Sequence, residues 1–178
     1  IFYTILGRGG WDFAAGVALD ANDRIVVVGS SRSPNFPLRN PIQTEIKSAL
    51  STAFVSRLTS DGRNLVHSSY IGGSSGEGLI GVAIDEQGNA FVSGGSTSKD
   101  YPLAQPVQPV SGGNADAVLS KISPDGRLLF STFWGGPAEE SFAGIVLRKD
   151  GMLFAITATG TEAFPLVDPI FSTPTSRT

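Results

Sequence analysis

The sequence predicts an all-β fold that is built from a repeated unit of four antiparallel strands. Three observations predict it: a period of about 64 residues, short apolar runs, and glycine-rich or Asp-Gly turns between those runs. Glycine supplies the positive φ that tight turns need, and aromatic or β-branched residues fill pleated surfaces. Glycine (22) and proline (11) are too few for a low-complexity chain of 178 residues, so we expect a packed core.

Two unrelated features repeat with the same spacing. Three glycines are separated by 65 and 63 residues: Gly7, Gly72 and Gly135. Three aromatic-proline pairs repeat with the same two spacings: Phe36-Pro37, Tyr101-Pro102 and Phe164-Pro165. One segment over 1–178 is therefore predicted to hold three copies of the repeat, at about 1–53, 54–116 and 117–178.

The strand signals keep one order in every copy. An outer strand is predicted over 1–6, two complete sets of four strands follow, and two strands of a third set end the pattern. Runs such as Ile25 to Val28 are apolar on both faces, which is typical of strands covered by stacked sheets. We therefore expect the sheets to lie face to face.

Asp-Gly turns separate the outer strands of each set. Asp61-Gly62 and Asp125-Gly126 both lie between two apolar runs, and this pattern is a strong hairpin signal. The distance from the Asp-Gly glycine to the next anchor glycine is ten positions in one copy and nine in the other. This difference predicts either a β-bulge or a loop that is one residue longer.

Four strands per period with repeated glycine and aromatic anchors are typical of a β-propeller blade. The sequence accounts for about two full four-stranded blades plus partial blades. Closed propellers have about four to eight blades. The chain is therefore predicted to be a fragment of a larger propeller, or to associate with further copies of itself.

Several stretches resemble the bacterial SBBP β-propeller repeat: residues 70–73, 81–85, 88–94, 101–102, 116–118 and 125–126. The resemblance covers nearly the whole chain. It implies a bacterial secreted or cell-surface protein, and therefore an extracytoplasmic location. The third copy departs from the pattern at Arg148, where the other copies have Asp, and at Thr157-Ala158-Thr159, where they have glycine-rich endings.

Composition argues against several classes of partner and site. The net charge is −3 and the 13 Lys and Arg form no basic stripe, so a nucleic-acid partner is not expected. No apolar run approaches the roughly 20 residues of a membrane helix, so no membrane span is predicted in this segment. The absence of cysteine excludes thiolate metal sites and cysteine nucleophiles.

Two glycine-rich motifs resemble catalytic or cofactor motifs. Residues 72–76 match G-x-S-x-G and residues 76–81 match G-x-G-x-x-G, but both motifs require a following helix. Strand signals follow instead, so we expect turns, and no catalytic or cofactor-binding residues are predicted. His67, the only histidine, lies on an outer strand and is predicted to be a surface or edge residue.

Three carboxylates share one position of the repeat: Asp12, Glu77 and Glu140. Each precedes an inner strand, so in a closed ring the three would encircle one mouth of the channel. Such a ring would suit Ca²⁺, which takes six to eight oxygen ligands. The alternative, which we expect, is that each carboxylate caps the amides of its own turn, because a structural role predicts repetition in every copy.

The aromatic residues divide into two kinds. The Phe-Pro and Tyr-Pro pairs are predicted to pin the long loops onto the sheets, with proline fixing φ. Trp134 ends a strand and is expected to be packed. Trp11 lies in a turn, where an exposed indole would suit contact with a carbohydrate or a protein.

These observations favour a non-catalytic scaffold or binding module over an enzyme, with a protein or carbohydrate ligand. The first alternative is a fragment of a propeller-type carbohydrate-active enzyme, for which one copy must break the repeat of carboxylates. Glu139 beside Glu140 is the nearest such exception. The second alternative is a structural protein that self-assembles as open blade edges pair between copies.

Overall fold

A computed structural model describes residues 3–160, which form ten antiparallel strands in three sheets and no helix. The predicted all-β class and antiparallel pairing are therefore confirmed. The predicted features of residues 161–178, including the third aromatic-proline pair, lie outside the described residues. Across 3–160 no helix is long and apolar enough to cross a membrane.

The first two sheets have the same strand order. The first contains β1 (Asp12–Leu19), β2 (Ile25–Ser31), β3 (Thr52–Leu58) and β4 (Leu65–Ile71). The second contains β5 (Glu77–Ile84), β6 (Ala90–Ser96), β7 (Asp116–Ile122) and β8 (Leu128–Trp134). The third contains β9 (Glu140–Leu147) and β10 (Leu153–Thr159). Each strand pairs with its neighbour in sequence, which is the order that the repeat predicts.

The repeat extends to the register of the strands. The first strand of each sheet carries one β-bulge, which lies between Ala14 and Gly16 in β1 and between Leu79 and Gly81 in β5. In the third sheet, Ile156 pairs with Gly144 and Thr157 with Phe142, so the bulge falls at the same position. A bulge leaves one residue unpaired and bends its strand. The three inner strands therefore bend at equivalent points.

The sheets stack through their first strands, because β5 packs against both β1 and β9. The main core lies between the first two sheets and contains Val26 and Val28 from β2 and Leu79 and Val92 from the second sheet. On the opposite face of the first sheet, Val27 packs toward a smaller cluster. Strand β2 is thus apolar on both faces, as its sequence predicts.

The smaller cluster consists of Phe36, Phe54 and Tyr70, which are buried on the first sheet. Phe36 is the aromatic residue of the first Phe-Pro pair, and its backbone amide donates a hydrogen bond to the Tyr70 hydroxyl over 3.1 Å. Tyr70 in turn donates to the carbonyl of Ser33. Burial raises the pKa of Tyr70, which keeps the hydroxyl protonated as a donor. Tyr101 is buried in the same way on the second sheet.

The long loops also cover the outer edges of the two complete sheets. Arg39 forms an isolated antiparallel β-bridge with Ser68 on β4, in which the two backbones exchange hydrogen bonds of 2.9 and 2.8 Å. Ala104 forms the corresponding bridge with Ser131 on β8. An uncovered edge strand offers unpaired amides and carbonyls to another chain. Pairing between copies through these two outer edges is therefore obstructed, whereas β10 pairs only with β9 among the described residues.

The one-residue difference between the outer hairpins is located in the loops. Thr59 donates its amide to the carbonyl of Asn64, whereas Ser123 donates to Arg127, so the first loop is one residue longer. Both hairpins also contain a β-bulge, after Arg57 in β3 and after Lys121 in β7. The extra residue is thus in the turn, where it leaves the strand register unchanged.

One prediction is wrong, and a second is right about the strand but wrong about exposure. Residues 3–6 do not form the expected outer strand, because no described strand lies beside them to complete a ladder of hydrogen bonds. His67 does lie on the outer strand β4, but its residue is only 2% exposed. Its ring packs on Gly126 of the second sheet, where an added Cβ would collide with the imidazole. The stacking of the sheets therefore buries a residue of the outermost strand.

Candidate binding site

An open hollow of about 400 Å³ lies beside the start of β1. We call it the Trp11 hollow, and it is lined by Trp11, Phe13, Ser30, Arg32 and Ser51. The side chains of Trp11 and Phe13 are largely solvent-exposed, and the tryptophan residue is 84% exposed. Large aromatic residues are usually at least half buried, so two neighbouring exposed rings are a notable surface feature.

The local chain path explains why Trp11 is exposed. The Gly-rich turn that precedes it lies against the start of the first long loop, since a Cβ at Gly10 would come within 2.8 Å of the carbonyl of Arg32. The amide of Arg32 donates to the carbonyl of Trp11 over 2.8 Å. The backbone of both residues is therefore fixed, while the indole and the guanidinium remain at the surface.

The hollow contains the groups that a polar ring-shaped ligand requires. An exposed indole offers a flat apolar face, Arg32 offers several N–H donors, and the two serines offer hydroxyls that donate or accept. None of its five lining residues is a carboxylate, a histidine or a lysine. Its composition is suited to recognition.

The glycine-rich turns and the long loops lie on one side of the molecule. In the second sheet, the amide of Ser74 donates to Asp100 over 2.8 Å, and the amide of Ser75 donates to Ser98 over 2.7 Å. Gly76 donates in the same way to Thr97. Each contact joins the turn before the inner strand to the loop after the second strand. Loops held on a rigid scaffold commonly carry binding residues.

Glu77 is buried at the start of β5 and receives two hydrogen bonds from β6 and the loop that follows it. Ser96 donates to Oε1 over 3.1 Å, and Ser98 donates to the same oxygen. Oε2 faces the turn at Gly72 and Gly73, and it has no hydrogen-bond partner of good geometry. Burial raises the pKa of Glu77 above 4.5, against the hydrogen bonds from Ser98, Gly73 and Ser96.

The other two carboxylates of the set make equivalent contacts. Asp12 accepts hydrogen bonds from Ser31 over 2.5 Å, from Ser33 over 2.7 Å and from the amide of Arg8 over 3.0 Å. Glu140 accepts from Thr159 over 2.9 Å and from the amide of Gly136 over 2.8 Å. Each carboxylate therefore joins a glycine-rich turn to the end of the second strand.

The structure places the three carboxylates at equivalent points on neighbouring strands but does not bring them together. Within residues 3–160, no three His, Cys, Asp or Glu side chains are grouped so that they could hold a metal ion. Asp12 and Glu140 each accept a hydrogen bond from an amide of their own turn, which is the contact that the capping prediction requires. The hydrogen bonds that Glu77 accepts come from Ser96 and Ser98 instead.

The partners of these carboxylates were absent from the predictions, although the sequence carries a signal for them. Ser31, Ser96 and Thr159 are separated by 65 and 63 residues, the spacing of the repeat. The third copy lacks the glycine-rich ending, but Thr159 still supplies a hydroxyl at this position. Arg32 and Phe13 of the Trp11 hollow have no such signal, because neither recurs at the equivalent positions.

The serine of the G-x-S-x-G match has no catalytic partner. Ser74 donates its hydroxyl to Asp100 over 2.9 Å, in an exposed turn followed by strand β5. His67 lies four residues before the end of β4, which is about 13 Å along the strand, and Ser74 lies beyond that end. Burial lowers the pKa of this histidine to about 4, so its imidazole is neutral at pH 7. The two residues therefore serve separate structural contacts.

The second glycine-rich match is also structural. Residues 76–81 run into β5, and β5 is followed by a turn and by β6. A dinucleotide site needs a helix after the glycines so that amides point at the pyrophosphate. The pair of adjacent carboxylates in the third copy also separates, because Glu139 is exposed whereas Glu140 is buried among its hydrogen-bond donors.

The fold and site define a β-repeat of stacked antiparallel sheets with an aromatic surface hollow. Comparison of the sequence with protein-family models and with curated proteins finds no match. The resemblance to the SBBP repeat therefore remains a prediction that is based on the residues alone.

Proposed function

We propose that this chain is a segment of a β-propeller that acts as a non-catalytic scaffold and binding module of a secreted or cell-surface bacterial protein. Two features support the propeller architecture: the first two sheets have one strand order, and their inner strands pack side by side with that of the third. The SBBP resemblance supports the location.

The Trp11 hollow is the proposed contact surface, and the ligand class is a carbohydrate. The observation that carries this proposal is the exposure of Trp11 beside Phe13, with Arg32 within the same hollow. A sugar ring stacks its C–H face on an indole while its hydroxyls bind donors at the rim. Because none of the five lining residues is a carboxylate, a histidine or a lysine, the sugar is bound and released unchanged.

A glycan array followed by a fluorescence titration tests this function. The chain contains two tryptophans, so the Trp134→Phe variant makes Trp11 the only indole reporter. We expect a glycan identified on the array to change Trp11 emission, and Trp11→Ala to weaken its binding at least tenfold. Tyr3→Ala is the control, because Tyr3 is equally exposed but lies outside the hollow. Equal loss in both variants, or no glycan bound, contradicts the proposal.

The proposed role of the three carboxylates is capping, with Ca²⁺ binding as the alternative that the sequence left open. We expect the melting temperature to be the same in millimolar Ca²⁺ and in a chelator, because each carboxylate already accepts a hydrogen bond from a hydroxyl at the end of the second strand of its own sheet. The double variant Glu77→Ala with Glu140→Ala completes the test. A melting temperature that rises with Ca²⁺ in the wild type alone would establish the alternative.

A further inference from the structure

The inner strands carry a glycine that contacts the next sheet. Gly16 on β1 lies so close to β5 that an added Cβ would stand 2.5 Å from the carbonyl oxygen of Ile80 and 3.3 Å from Val82. Gly81 on β5 has the same relation to β9, with Ile145 at 3.1 Å. These glycines are needed because a neighbouring backbone and a branched side chain occupy the space of their missing side chains.

The third glycine of the set faces open space. Gly144 on β9 follows Gly81 by 63 residues, as Gly81 follows Gly16 by 65, but no atom of residues 3–160 lies within 4 Å of its Cβ position. The side chains near Gly16 and Gly81 belong to Val82 and Ile145, which share one position of the repeat. The residue at that position in the first sheet is Val17. No sheet of the described part of the chain lies against Val17, which is 67% exposed.

The sheet face around Val17 and the sheet face around Gly144 are both apolar. Side chains alternate along a strand, so Val17 points away from the second sheet because its neighbour Gly16 points toward it. Leu19 shares that face and is exposed. On the third sheet, Ile145 contacts the second sheet, so the opposite face carries Gly144, Val146 and their cross-strand partners Ile156 and Phe154. The last three are exposed.

The exposed parts of the two faces lie on different strands of their sheets. On the first sheet, Leu6 packs against the cluster of Phe36, Phe54 and Tyr70, at the repeat position that Ile71 occupies against the second sheet. Residues 3–6 therefore lie over the outer part of this face, and its exposed apolar side chains are on β1. On the third sheet, the exposed apolar side chains are on β9 and β10, the two strands that the structure describes there.

We propose that a second copy of this chain stacks its first sheet on the third sheet, with Val17 of one copy placed against Gly144 of the other. This inference rests on the proposed propeller scaffold. The contact between the two copies is the same as the contact that joins neighbouring sheets within one chain. The contact is heterologous, since each copy uses two different faces, and it produces a ring or an open chain of copies.

Stacking of faces accounts for the structure better than pairing of outer edges. Loop residues already bridge the outer strands β4 and β8, as Arg39 and Ala104 show. The exposed apolar side chains instead lie on faces, where contiguous apolar surface marks an interaction site. The Trp11 hollow is lined by other residues, so carbohydrate binding and stacking are separable.

Sedimentation velocity of the 178-residue chain at increasing concentration tests the proposal. We expect oligomers for the wild type and monomers for two variants, Val17→Asp and Gly144→Val. The first puts a charge on one face, and the second fills the open space on the other. Val107→Asp is the control, because Val107 is also exposed but lies in a loop. It is expected to associate like the wild type.

Mixing the two variants gives the decisive result. Val17→Asp retains an intact third sheet, and Gly144→Val retains an intact first sheet, so one productive contact remains between them. We expect the equimolar mixture to sediment as a dimer that does not grow further. A monomeric wild type, oligomers of either variant alone, or a monomeric mixture would overturn the proposal.

Circular dichroism confirms that each variant is folded, and Val17→Ser replaces Val17→Asp if the charge prevents folding. The same preparations separate this inference from the proposed function. Glycan binding by monomeric wild type would reject stacking and keep the binding role. Oligomers whose assembly follows the expected pattern but which bind no glycan would reject the binding role and keep stacking.

Discussion

His67 shows how the environment of a single side chain sets its acid–base behaviour. The residue is 2% exposed, and its Nε2 has no hydrogen-bond partner. Burial is the largest cause of its lowered pKa, and the charge of Arg57 adds to it. A buried imidazole favours the neutral form, since a charge in this site is poorly solvated. Protonation of this residue therefore opposes folding.

We expect the free energy of unfolding to fall as the pH falls from 6.5 toward 4. In this window the unfolded chain binds a proton at His67 that the folded chain, with a pKa of about 4, does not. The free energy of unfolding is expected to be about 3 kcal/mol lower at pH 4 than at neutral pH. His67→Phe should lose much less stability over the same window, as measured by urea denaturation at several pH values.

The chain has one histidine, so no other imidazole titrates in that window. The raised pKa of Glu77 has the opposite effect on stability, because its stabilising proton is lost as the pH rises. This effect is the same in the wild type and in His67→Phe, so it does not change the comparison. Parallel pH profiles for the wild type and His67→Phe would contradict the assignment.

Glu77 is the second residue whose role can be measured directly. We expect Glu77→Ala to lower the free energy of unfolding by about 2 kcal/mol, because the buried hydroxyls of Ser96 and Ser98 lose their acceptor. Glu86→Ala is the matched control, since Glu86 is exposed, and it should change stability by less than about 0.5 kcal/mol. Thermal and chemical denaturation measure both.

Among the elements, the outer hairpins show that turn chemistry was predicted more reliably than turn geometry. The sequence indicated Asp-Gly turns at the correct places. In the structure the glycines of these turns have positive φ, 68° at Gly62 and 90° at Gly126, and the aspartates do not. The aspartates act through their side chains instead: Asp61 accepts from Thr59, and Asp125 accepts from Ser123.

Gly126 combines two constraints that a pair of variants can separate. Its φ of 90° disfavours any side chain, and its Cβ position is occupied by the His67 ring. Gly151 has a φ of 88° but nothing within 4 Å of its Cβ position. We expect Gly151→Ala to cost about 1 kcal/mol from backbone strain alone, and Gly126→Ala to cost clearly more.

Chemical denaturation of both variants measures this difference. Adding His67→Ala to Gly126→Ala supplies the control, because the smaller side chain leaves room for the new methyl group. The double variant should therefore recover part of the excess cost. Equal costs for Gly126→Ala and Gly151→Ala would show that the contact between the sheets is unimportant.

At the scale of the whole molecule, Arg57 is a buried charged residue that pairs with Asp20 of the first sheet and hydrogen-bonds to the second sheet. Its Nη2 donates to the carbonyl of Gly88 over 2.6 Å, and its Nη1 lies 3.4 Å from Asp20. At the equivalent position of the second sheet, Lys121 lies 3.1 Å from Asp85 and is partly exposed. The two pairs occupy the same place in the repeat but differ in burial.

We expect Arg57→Ala to lower the free energy of unfolding by about 3 kcal/mol, because it leaves the carbonyl of Gly88 without its partner and weakens the link between the sheets. Lys121→Ala should cost less than about 1 kcal/mol, as solvent-screened pairs do. Guanidinium denaturation compares the two. Similar costs would mean that the contact between the sheets adds nothing beyond a surface pair.

The sequence by itself determined the all-β class, the order of the strands and the equivalence of Asp12, Glu77 and Glu140, because periodicity and turn residues are local signals. Only the tertiary structure decided which side chains are covered. His67 is buried by a turn that lies 59 residues further along the chain, and Val17 is exposed because no sheet within residues 3–160 lies against it. Burial depends on contacts between segments that are distant in the sequence, and the residue pattern within one segment does not predict those contacts.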